Sequence, residues 1–275
     1  MQALPDWQIL WRDLVQIQNR RREIECQRLG SEDFWQDKAL KFSDRVKTRW
    51  QQMDSSRELI LSNVTEDETF LDIGAGTGAW SILLANQVRA VTAIEPSEAM
   101  AAELKNTIHD LNIENLQLLQ GFWPQIEVDR HDHTLCSHAM YGYPDLKVFV
   151  EQMISVTNKK CFILIRAPFL DSIMGQASGM VHGHPHDSPN FHIAYNILLD
   201  MGIHANVLME KKGLRKGWQH ESLAEALLEV KERLGIDCDR YDQDLFRLLE
   251  ENLIVQDKKY IWPSGNRSAL IYWDV

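Results

Sequence analysis

The feature that most constrains this chain is an apolar run that leads into a glycine turn, Phe70-Leu71-Asp72-Ile73-Gly74-Ala75-Gly76-Thr77-Gly78. The apolar run predicts a buried strand, and the residues after Gly78 predict a helix that starts at the turn. Glycines at alternate positions let the backbone approach a ligand without an intervening Cβ atom. The first N–H groups of the helix point to the same spot. The stretch therefore predicts a ligand site at the end of a strand.

Short apolar runs alternate with amphipathic helical patterns from residue 67 onward. The strand-like runs are 69–73, 91–94, 116–119, 134–137, 161–165, 206–209 and 268–273. Strands separated by helices pair in parallel through right-handed crossovers, which predicts a doubly wound α/β sheet. Two helical patterns interrupt this alternation late in the chain. We therefore predict a helical N-terminal cap (1–66), a Rossmann-like cofactor-binding core (67–212), a helical insertion (213–259) and a final core strand (260–275).

The charge balance limits the partners that this chain is expected to bind. Lys and Arg number 29 against 40 Asp and Glu, a net charge of −11, which disfavours nucleic acid. The basic run Arg20-Arg21-Arg22 is interpreted as a solvated helix face. No apolar run approaches the roughly 18 residues of a membrane span, and no signal pattern is seen, so we expect a soluble, cytoplasmic protein. The four scattered cysteines predict neither a zinc knuckle nor a disulfide framework.

Two ligands fit the glycine turn. Gly74-x-Gly76-x-x-Ala79 satisfies the dinucleotide pattern, and Glu95 follows at the distance where an acid binds ribose hydroxyls. S-adenosylmethionine also has such a ribose, so Glu95 does not discriminate. A carboxylate at Asp72 would repel a pyrophosphate but favour the ammonium and sulfonium of S-adenosylmethionine. Alternatively, Asp72 only ties down the turn by accepting backbone N–H bonds.

Leu71–Gly78 resembles motif I of the class I S-adenosylmethionine-dependent methyltransferases of the small-molecule type. Ile94–Met100 resembles the second motif of that family, in which the acid binds the ribose and the following residues border the adenine. The resemblance covers about residues 67–170. It implies a seven-stranded sheet whose last strand, 268–273, is antiparallel. It also implies S-adenosylmethionine as the cofactor, S-adenosylhomocysteine as the product and a small-molecule acceptor.

The resemblance implies a cofactor site at the ends of successive strands. In the first two motifs and at the end of the fourth strand, the residues implied to bind the cofactor are Asp72, Gly74, Ala75, Gly76, Gly78, Glu95, Pro96, Met100 and Ser137. After the third strand, the resemblance implies that Gly121, Phe122 and Trp123 bind the cofactor. The acid that often binds the adenine amino group in the family is missing from this stretch. The two aromatic rings could cover the adenine face instead. They could equally be ordinary core residues.

The residues after the fourth strand are the candidates for chemistry. The run from Ser137 to Tyr143 resembles the fourth motif of the family, which lines the donor methyl group and the acceptor. It lacks the Asn/Asp-Pro-Pro-aromatic run of nucleic-acid amine methyltransferases. We predict His138 as a base for an acceptor that must lose a proton, and Tyr141 as a group that orients the sulfonium or the acceptor. The alternative for His138 is a hydrogen bond to a backbone carbonyl. Arg166, after the fifth strand, could pair with an anionic acceptor group or form a structural salt bridge.

Two further segments flank this predicted site. The segment from Phe34 to Phe42 could fold back over the cofactor as a lid, or pack only against the outside of the sheet. His182, His184, His186 and His192 could hold a metal, but glycine and proline predict an irregular polar loop and no cysteine or paired acid accompanies them, so we predict no metal site.

The sequence thus predicts a methyltransferase that works by in-line transfer. An NAD(P)-dependent oxidoreductase and a non-catalytic S-adenosylmethionine-binding scaffold or sensor remain the alternatives.

Overall fold

The structure, a computed structural model, describes residues 5–49, 53–210, 218–263 and 267–275. The first residues of the predicted insertion, 213–217, and the turn residues 264–266 lie outside the described ranges. The α-helices are α1 Trp7–Leu29, α2 Ala39–Arg49, α3 Ser55–Leu61, α4 Ala79–Ala85, α5 Glu98–Asp110, α6 Leu146–Ser155, α7 Ile173–His182, α8 Phe191–Asp200, α9 Leu223–Leu234 and α10 Asp242–Asn252. The strands are β1 Thr69–Ile73, β2 Ala90–Glu95, β3 Leu116–Gln120, β4 His131–Ser137, β5 Thr157–Ala167, β6 Asn206–Met209, β7 Gln219–His220, β8 Ile254–Gln256, β9 Lys259–Ile261 and β10 Arg267–Asp274.

Seven of these strands form one sheet in the order β3-β2-β1-β4-β5-β10-β6. The pairs among β1 to β5 are parallel, whereas β10 runs antiparallel to both β5 and β6. The predicted seven-stranded sheet with an antiparallel last strand is confirmed. The strand order reverses between β1 and β4, and ligands of open α/β sheets bind in the crevice at such a switch point.

Helices cover both faces of the sheet. Leu71 and Ile73 of β1 pack in the core formed with α1, α6 and α8. Phe70, which points to the opposite face, packs in the core formed with α3, α4 and α5. A sheet that is buried on both faces needs nearly continuous apolar strands, which is the pattern that made these strands visible in the sequence.

A third apolar cluster lies beside the sheet. It joins α7, α9 and α10, which pack around Trp262 near a small antiparallel sheet in the order β7-β9-β8. The sequence predicted a purely helical insertion, and the small sheet is the difference. The predicted boundary at 259/260 falls inside β9, which pairs with β7 and β8, whereas the core strand begins at Arg267.

Helix α1 links the sheet face to the carboxyl edge of the strands. It begins at its N-cap Asp6, whose Oδ1 accepts a hydrogen bond from Ile9 N at 3.0 Å. Its first half packs on the sheet, and Trp11 Nε1 donates to the Tyr143 carbonyl at 2.9 Å. Further along, Asn19 Nδ2 donates to the Gly142 carbonyl at 3.0 Å. The second half of α1 therefore lies over the segment that follows β4. Of the helices in the described ranges, none has the length and apolar character that crossing a bilayer requires.

Candidate functional site

The glycine turn joins β1 to α4 in the shape that the sequence predicted. Gly74, Gly76 and Gly78 have φ values of 72°, 59° and 88°, which lie in the left-handed region that favours glycine. A Cβ atom on Gly74 would lie only 2.1 Å from the Ala139 Cβ atom. Packing therefore requires a glycine at position 74, and glycine adopts the positive φ values at all three positions without strain.

The backbone of the turn is fixed to the neighbouring strand. The N–H groups of Gly74 and Ala75 both donate to the Ile94 carbonyl, at 2.8 and 2.9 Å. Beside the turn, Ser137 at the end of β4 accepts a hydrogen bond from Trp80 Nε1 at 3.0 Å. The predicted residues Gly74, Ala75, Gly76 and Ser137 thus lie at one edge, at the switch point of the sheet.

Glu95 connects the first two motifs. Its Oε2 accepts a hydrogen bond from Gly76 N at 2.7 Å, and its Oε1 accepts one from Ser97 N at 2.8 Å. Burial raises the pKa of Glu95, the two backbone hydrogen bonds oppose that rise, and Asp33 adds to it. Pro96 is half-buried and Met100 is buried in the first turn of α5. The carboxylate is therefore held rigidly beside the turn, and each of its oxygens has a second lone pair for a ligand.

Asp72 lies beneath the turn. It is 1% exposed, and its Oδ2 accepts a hydrogen bond from the Ser81 hydroxyl in the first turn of α4 at 2.5 Å. Burial raises the pKa of Asp72 to about 7, with Glu95 adding to the rise and Ser81 opposing it. The sequence used the charge of Asp72 to separate two ligands. In the structure the carboxyl group bonds Ser81 of α4, which is close to the alternative interpretation.

The two aromatic residues after β3 have different environments. The Phe122 ring is 64% exposed, whereas Trp123 is 7% exposed and belongs to the main core. Trp123 Nε1 donates to the Phe149 carbonyl of α6 at 3.3 Å, which fixes the indole against that helix. The structure thus places the Trp123 side chain in the core, which was the alternative interpretation of this ring. Phe122 is exposed, and the neighbouring Gly121 N donates to the Glu95 carbonyl at 3.3 Å.

The segment 33–42 lies over the glycine turn. Asp33 Oδ2 accepts hydrogen bonds from the Ser97 hydroxyl at 2.7 Å and from Ala99 N at 3.2 Å. Burial raises the pKa of Asp33, but hydrogen bonds to the carboxylate outweigh burial and hold that pKa below its usual value. Phe42 Cε1 is 4.0 Å from the position that a Cβ atom on Gly76 would take. The segment is thus fixed next to Glu95, rather than packed only outside the sheet.

The residues after β4 form a hydrogen-bonded chain. His138 adopts a positive φ of 55°, and its Nδ1 lies 2.8 Å from the buried Tyr141 hydroxyl. Its Nε2 lies 3.2 Å from the Ser268 hydroxyl of β10. Arg166 N–H donates to the Tyr141 oxygen at 2.8 Å, so this hydroxyl connects the β5 backbone to the His138 ring. The ring of His138 therefore bonds hydroxyl groups rather than a backbone carbonyl.

The histidine-rich segment is more regular than the sequence predicted. Helix α7 runs to His182, and Gly183 ends it in the left-handed conformation. The rings of His182, His184, His186 and His192 follow one another at centroid spacings of 5.7, 6.0 and 6.1 Å. Burial lowers the pKa of His186 to about 4, with the neighbouring histidines adding to the effect. In the described ranges, no three His, Cys, Asp or Glu side chains are grouped to hold a metal ion.

The basic run on α1 is not a uniformly solvated face. Arg21 Nη2 lies 2.9 Å from Glu229 Oε1. Arg22 points to the segment after β4, where its Nη1 is 3.2 Å from the position of a Cβ atom on Gly142. The sequence did not predict that Arg22 lies beside the segment after β4. The available signal was its position seven residues after the buried Val15, which puts both on one helix face.

The seven-stranded sheet resembles that of known methyltransferases. A presumed methyltransferase from Bacillus halodurans C-125 has a similar fold, with a TM-score of 0.51 at 13% identity, covering 79% of this chain and 96% of that one. The fold is that of the class I methyltransferases. Residues 70–160 match the family model described as a methyltransferase domain. The match runs from β1 into β5 and therefore includes the glycine turn.

Two relatives in sequence were also found. An uncharacterized protein of Haemophilus influenzae is 25% identical over 247 residues, which are 88% of each chain. A demethylmenaquinone methyltransferase of Oceanobacillus iheyensis is 30% identical over 99 residues, which are 34% of this chain and 42% of that protein. The second match is thus limited to part of either chain, and it agrees with the methyltransferase domain.

Proposed function

We propose that this chain binds S-adenosylmethionine on the glycine turn and transfers its methyl group to a small-molecule acceptor. The observation that carries the proposal is β10, which lies between β5 and β6 and is antiparallel to both. A dinucleotide-binding sheet has parallel strands in the order 3-2-1-4-5-6, with no such insertion. The same glycine turn fits both ligands, so the sheet is what favours the methyl donor over NAD(P).

The cofactor is proposed to lie across the ends of β1, β2 and β3. Glu95 accepts hydrogen bonds from the ribose hydroxyls, through the lone pairs that Gly76 N and Ser97 N leave open. The exposed Phe122 ring covers the adenine face, with Pro96 and Met100 at its border. The backbone of the glycine turn faces the methionine part. Asp72 supports this site by holding α4 against the turn.

When bound, S-adenosylmethionine supplies a methyl group on a positively charged sulfur that leaves as a neutral thioether. The main task of the protein is then to hold the acceptor in line with that bond. The segment 33–42 excludes water from the glycine turn by lying over it. His138 takes a proton from acceptors that must lose one, once its Nδ1 or Nε2 exchanges a hydroxyl partner for the acceptor. Tyr141 is buried and orients His138.

One observation favours a second candidate, a protein that binds the cofactor without transferring its methyl group. Both ring nitrogens of His138 already bond hydroxyl groups of the protein, Tyr141 and Ser268. A base in use needs one of these nitrogens for the acceptor. Saturable cofactor binding with no turnover over a broad panel of acceptors would favour this candidate over the enzyme.

Thermal unfolding with three ligands in parallel tests the proposal. S-adenosylhomocysteine at 100 times its dissociation constant stabilises the folded state by about 2.7 kcal/mol, which raises Tm by roughly 5–10 °C. NAD⁺ and NADP⁺ at the same concentration are expected to leave Tm unchanged. A shift with either nucleotide but none with S-adenosylhomocysteine would reverse the assignment in favour of an oxidoreductase.

Two glycine variants make the test specific to the turn. In Gly76→Ala the new Cβ has room against the protein, since Phe42 is 4.0 Å away, and the positive φ costs about 1–2 kcal/mol, so the variant folds. Its methyl group occupies the face that a ligand approaches, so we expect the S-adenosylhomocysteine shift to disappear. Gly179→Ala on α7 is the control, because nothing lies within 4 Å of its Cβ position. It should keep the full shift.

A further inference from the structure

Two arginine side chains approach the segment that follows β4. Arg22 comes from α1, and its Nη1 lies 3.2 Å from the Cβ position on Gly142. Arg166 comes from the end of β5, and its Cζ lies 4.4 Å from the centre of the Tyr141 ring. Burial, followed by the charge of Arg166, lowers the pKa of Arg22, so the two positive charges are close enough to repel one another.

Neither guanidinium has a carboxylate partner in the described part of the chain. The nearby Arg21 and Arg233 differ in this respect, because both pair with Glu229, at 2.9 and 2.6 Å. Arg166 Nη2 reaches only the Pro189 carbonyl, at 3.4 Å, and Arg166 Nε is buried without a hydrogen-bond partner. Two desolvated like charges without a counter-charge destabilise a fold unless an anion joins them. An anion placed between them would offset this repulsion.

The position of the pair relates it to the proposed reaction. Both arginines contact the single 3₁₀ turn Met140–Gly142, Arg22 at Gly142 and Arg166 at Tyr141. Just before it, Ala139 packs against Gly74 of the glycine turn, and His138 follows the end of β4. The pair thus borders the same edge of the sheet as the glycine turn, on the side where an acceptor would approach the donor.

We propose that the acceptor carries an anionic group, a carboxylate or a phosphate, that binds between Arg22 and Arg166. The inference rests on the proposed function and names the chemical class of its acceptor. The planar fork of a guanidinium matches carboxylate and phosphate oxygens, and two forks give such a group several charge-assisted hydrogen bonds. The stacking of Arg166 on Tyr141 fixes one fork in advance. The anion anchors the acceptor while its nucleophilic atom reaches the methyl group.

Calorimetric titration with two simple anions tests the inference. Inorganic phosphate and succinate are titrated, in a cationic buffer, into the protein with and without saturating S-adenosylhomocysteine. We expect saturable binding of at least one anion in the millimolar range, and the preferred anion distinguishes a phosphate from a carboxylate. Because the cofactor is titrated separately, a failure of cofactor binding is scored apart from a failure of anion binding.

Matched variants locate the binding. Arg22→Gln and Arg166→Gln should each weaken anion binding about tenfold or more, because half of the charge-assisted bonds are lost. Arg22→Lys keeps the charge but loses the planar fork, so its anion affinity should lie between that of Arg22→Gln and that of the parent protein. Arg20→Gln removes an exposed arginine from the same helix and should bind anions like the parent protein. The inference is overturned if neither anion saturates, or if Arg20→Gln weakens binding as much as Arg22→Gln.

Discussion

Replacing Asp72 with asparagine tests whether this carboxyl group serves the fold or meets the ligand directly. Asp72 is 1% exposed, and its pKa is raised from 3.8 to about 7, chiefly by burial. The folded state therefore keeps a proton on Asp72 in a pH range where the unfolded chain has lost it. An asparagine at this position does not titrate and can still accept the hydrogen bond from Ser81.

The size of the effect follows from the pKa shift. A difference of about three pKa units, at 1.36 kcal/mol each, corresponds to about 4 kcal/mol. Since the folded-state pKa is raised, the stability that this group contributes falls as the pH rises from about 4 to about 7 and is constant above. Between pH 5 and pH 8 the fall is about 3 kcal/mol in the parent protein. The variant should lack it, so its stability relative to the parent should rise by about that amount.

Urea unfolding at pH 5, 6, 7 and 8 measures this difference, with S-adenosylhomocysteine affinity determined on the same samples. The buried amide N–H group adds a cost that does not depend on pH, so the slope against pH is the decisive quantity. Asp200→Asn, at an exposed aspartate, is the control and should leave the slope unchanged. We expect Asp72→Asn to alter cofactor affinity by less than about threefold, because its contact is with α4. An unchanged slope together with a loss of affinity above tenfold would refute this reasoning.

Three further predictions concern residues around the same edge. Asp33→Asn replaces charge-assisted hydrogen bonds to Ser97 and Ala99 with weaker ones, and should reduce S-adenosylhomocysteine affinity about fivefold by calorimetry; unchanged affinity would show that the segment 33–42 does not depend on this contact. Trp123→Ala should lower the free energy of unfolding by about 3–5 kcal/mol, because its side chain fills the core. Phe122→Ala should change it by less than about 0.5 kcal/mol and should weaken cofactor binding instead. A larger loss of stability for Phe122→Ala than for Trp123→Ala in urea unfolding would contradict these placements. Tyr141→Phe leaves Arg166 N–H unpaired and should cost about 1–3 kcal/mol, and no loss would show that water replaces the hydroxyl.

The sequence predicted the central sheet well because its strands are buried on both faces. The predicted bounds of β1 and β6 are those of the structure, since Glu68 and Gly74 flank β1 and Glu210 follows β6. The glycine turn was equally visible, because its conformation requires glycines in a fixed spacing. Helix α7 was missed because Gly175 and Gly179 indicated a loop. Gly175 is instead required by packing, since a Cβ atom would lie 2.2 Å from the Leu170 carbonyl oxygen.

The parts of the site that the sequence did not predict depend on contacts between distant segments. Strands β7, β8 and β9 are two or three residues long, so they leave no alternation to detect. Arg22 stands in a basic run that is typical of an exposed helix face. The path of α1 over residues 140–142 buries its side chain in part. Trp123 and Phe122 are adjacent and alike in sequence, yet their exposure differs because α6 covers one of them.

The most direct test of the account is calorimetric titration of the full chain with S-adenosylhomocysteine at a protein concentration of about 100 μM, followed by NAD⁺ under the same conditions. We predict saturable heat for one site with S-adenosylhomocysteine, at a dissociation constant below about 100 μM, and no heat with NAD⁺. Absence of heat with S-adenosylhomocysteine from a protein that circular dichroism shows to be folded would contradict the account. Saturable heat with NAD⁺ in its place would assign the glycine turn to a dinucleotide.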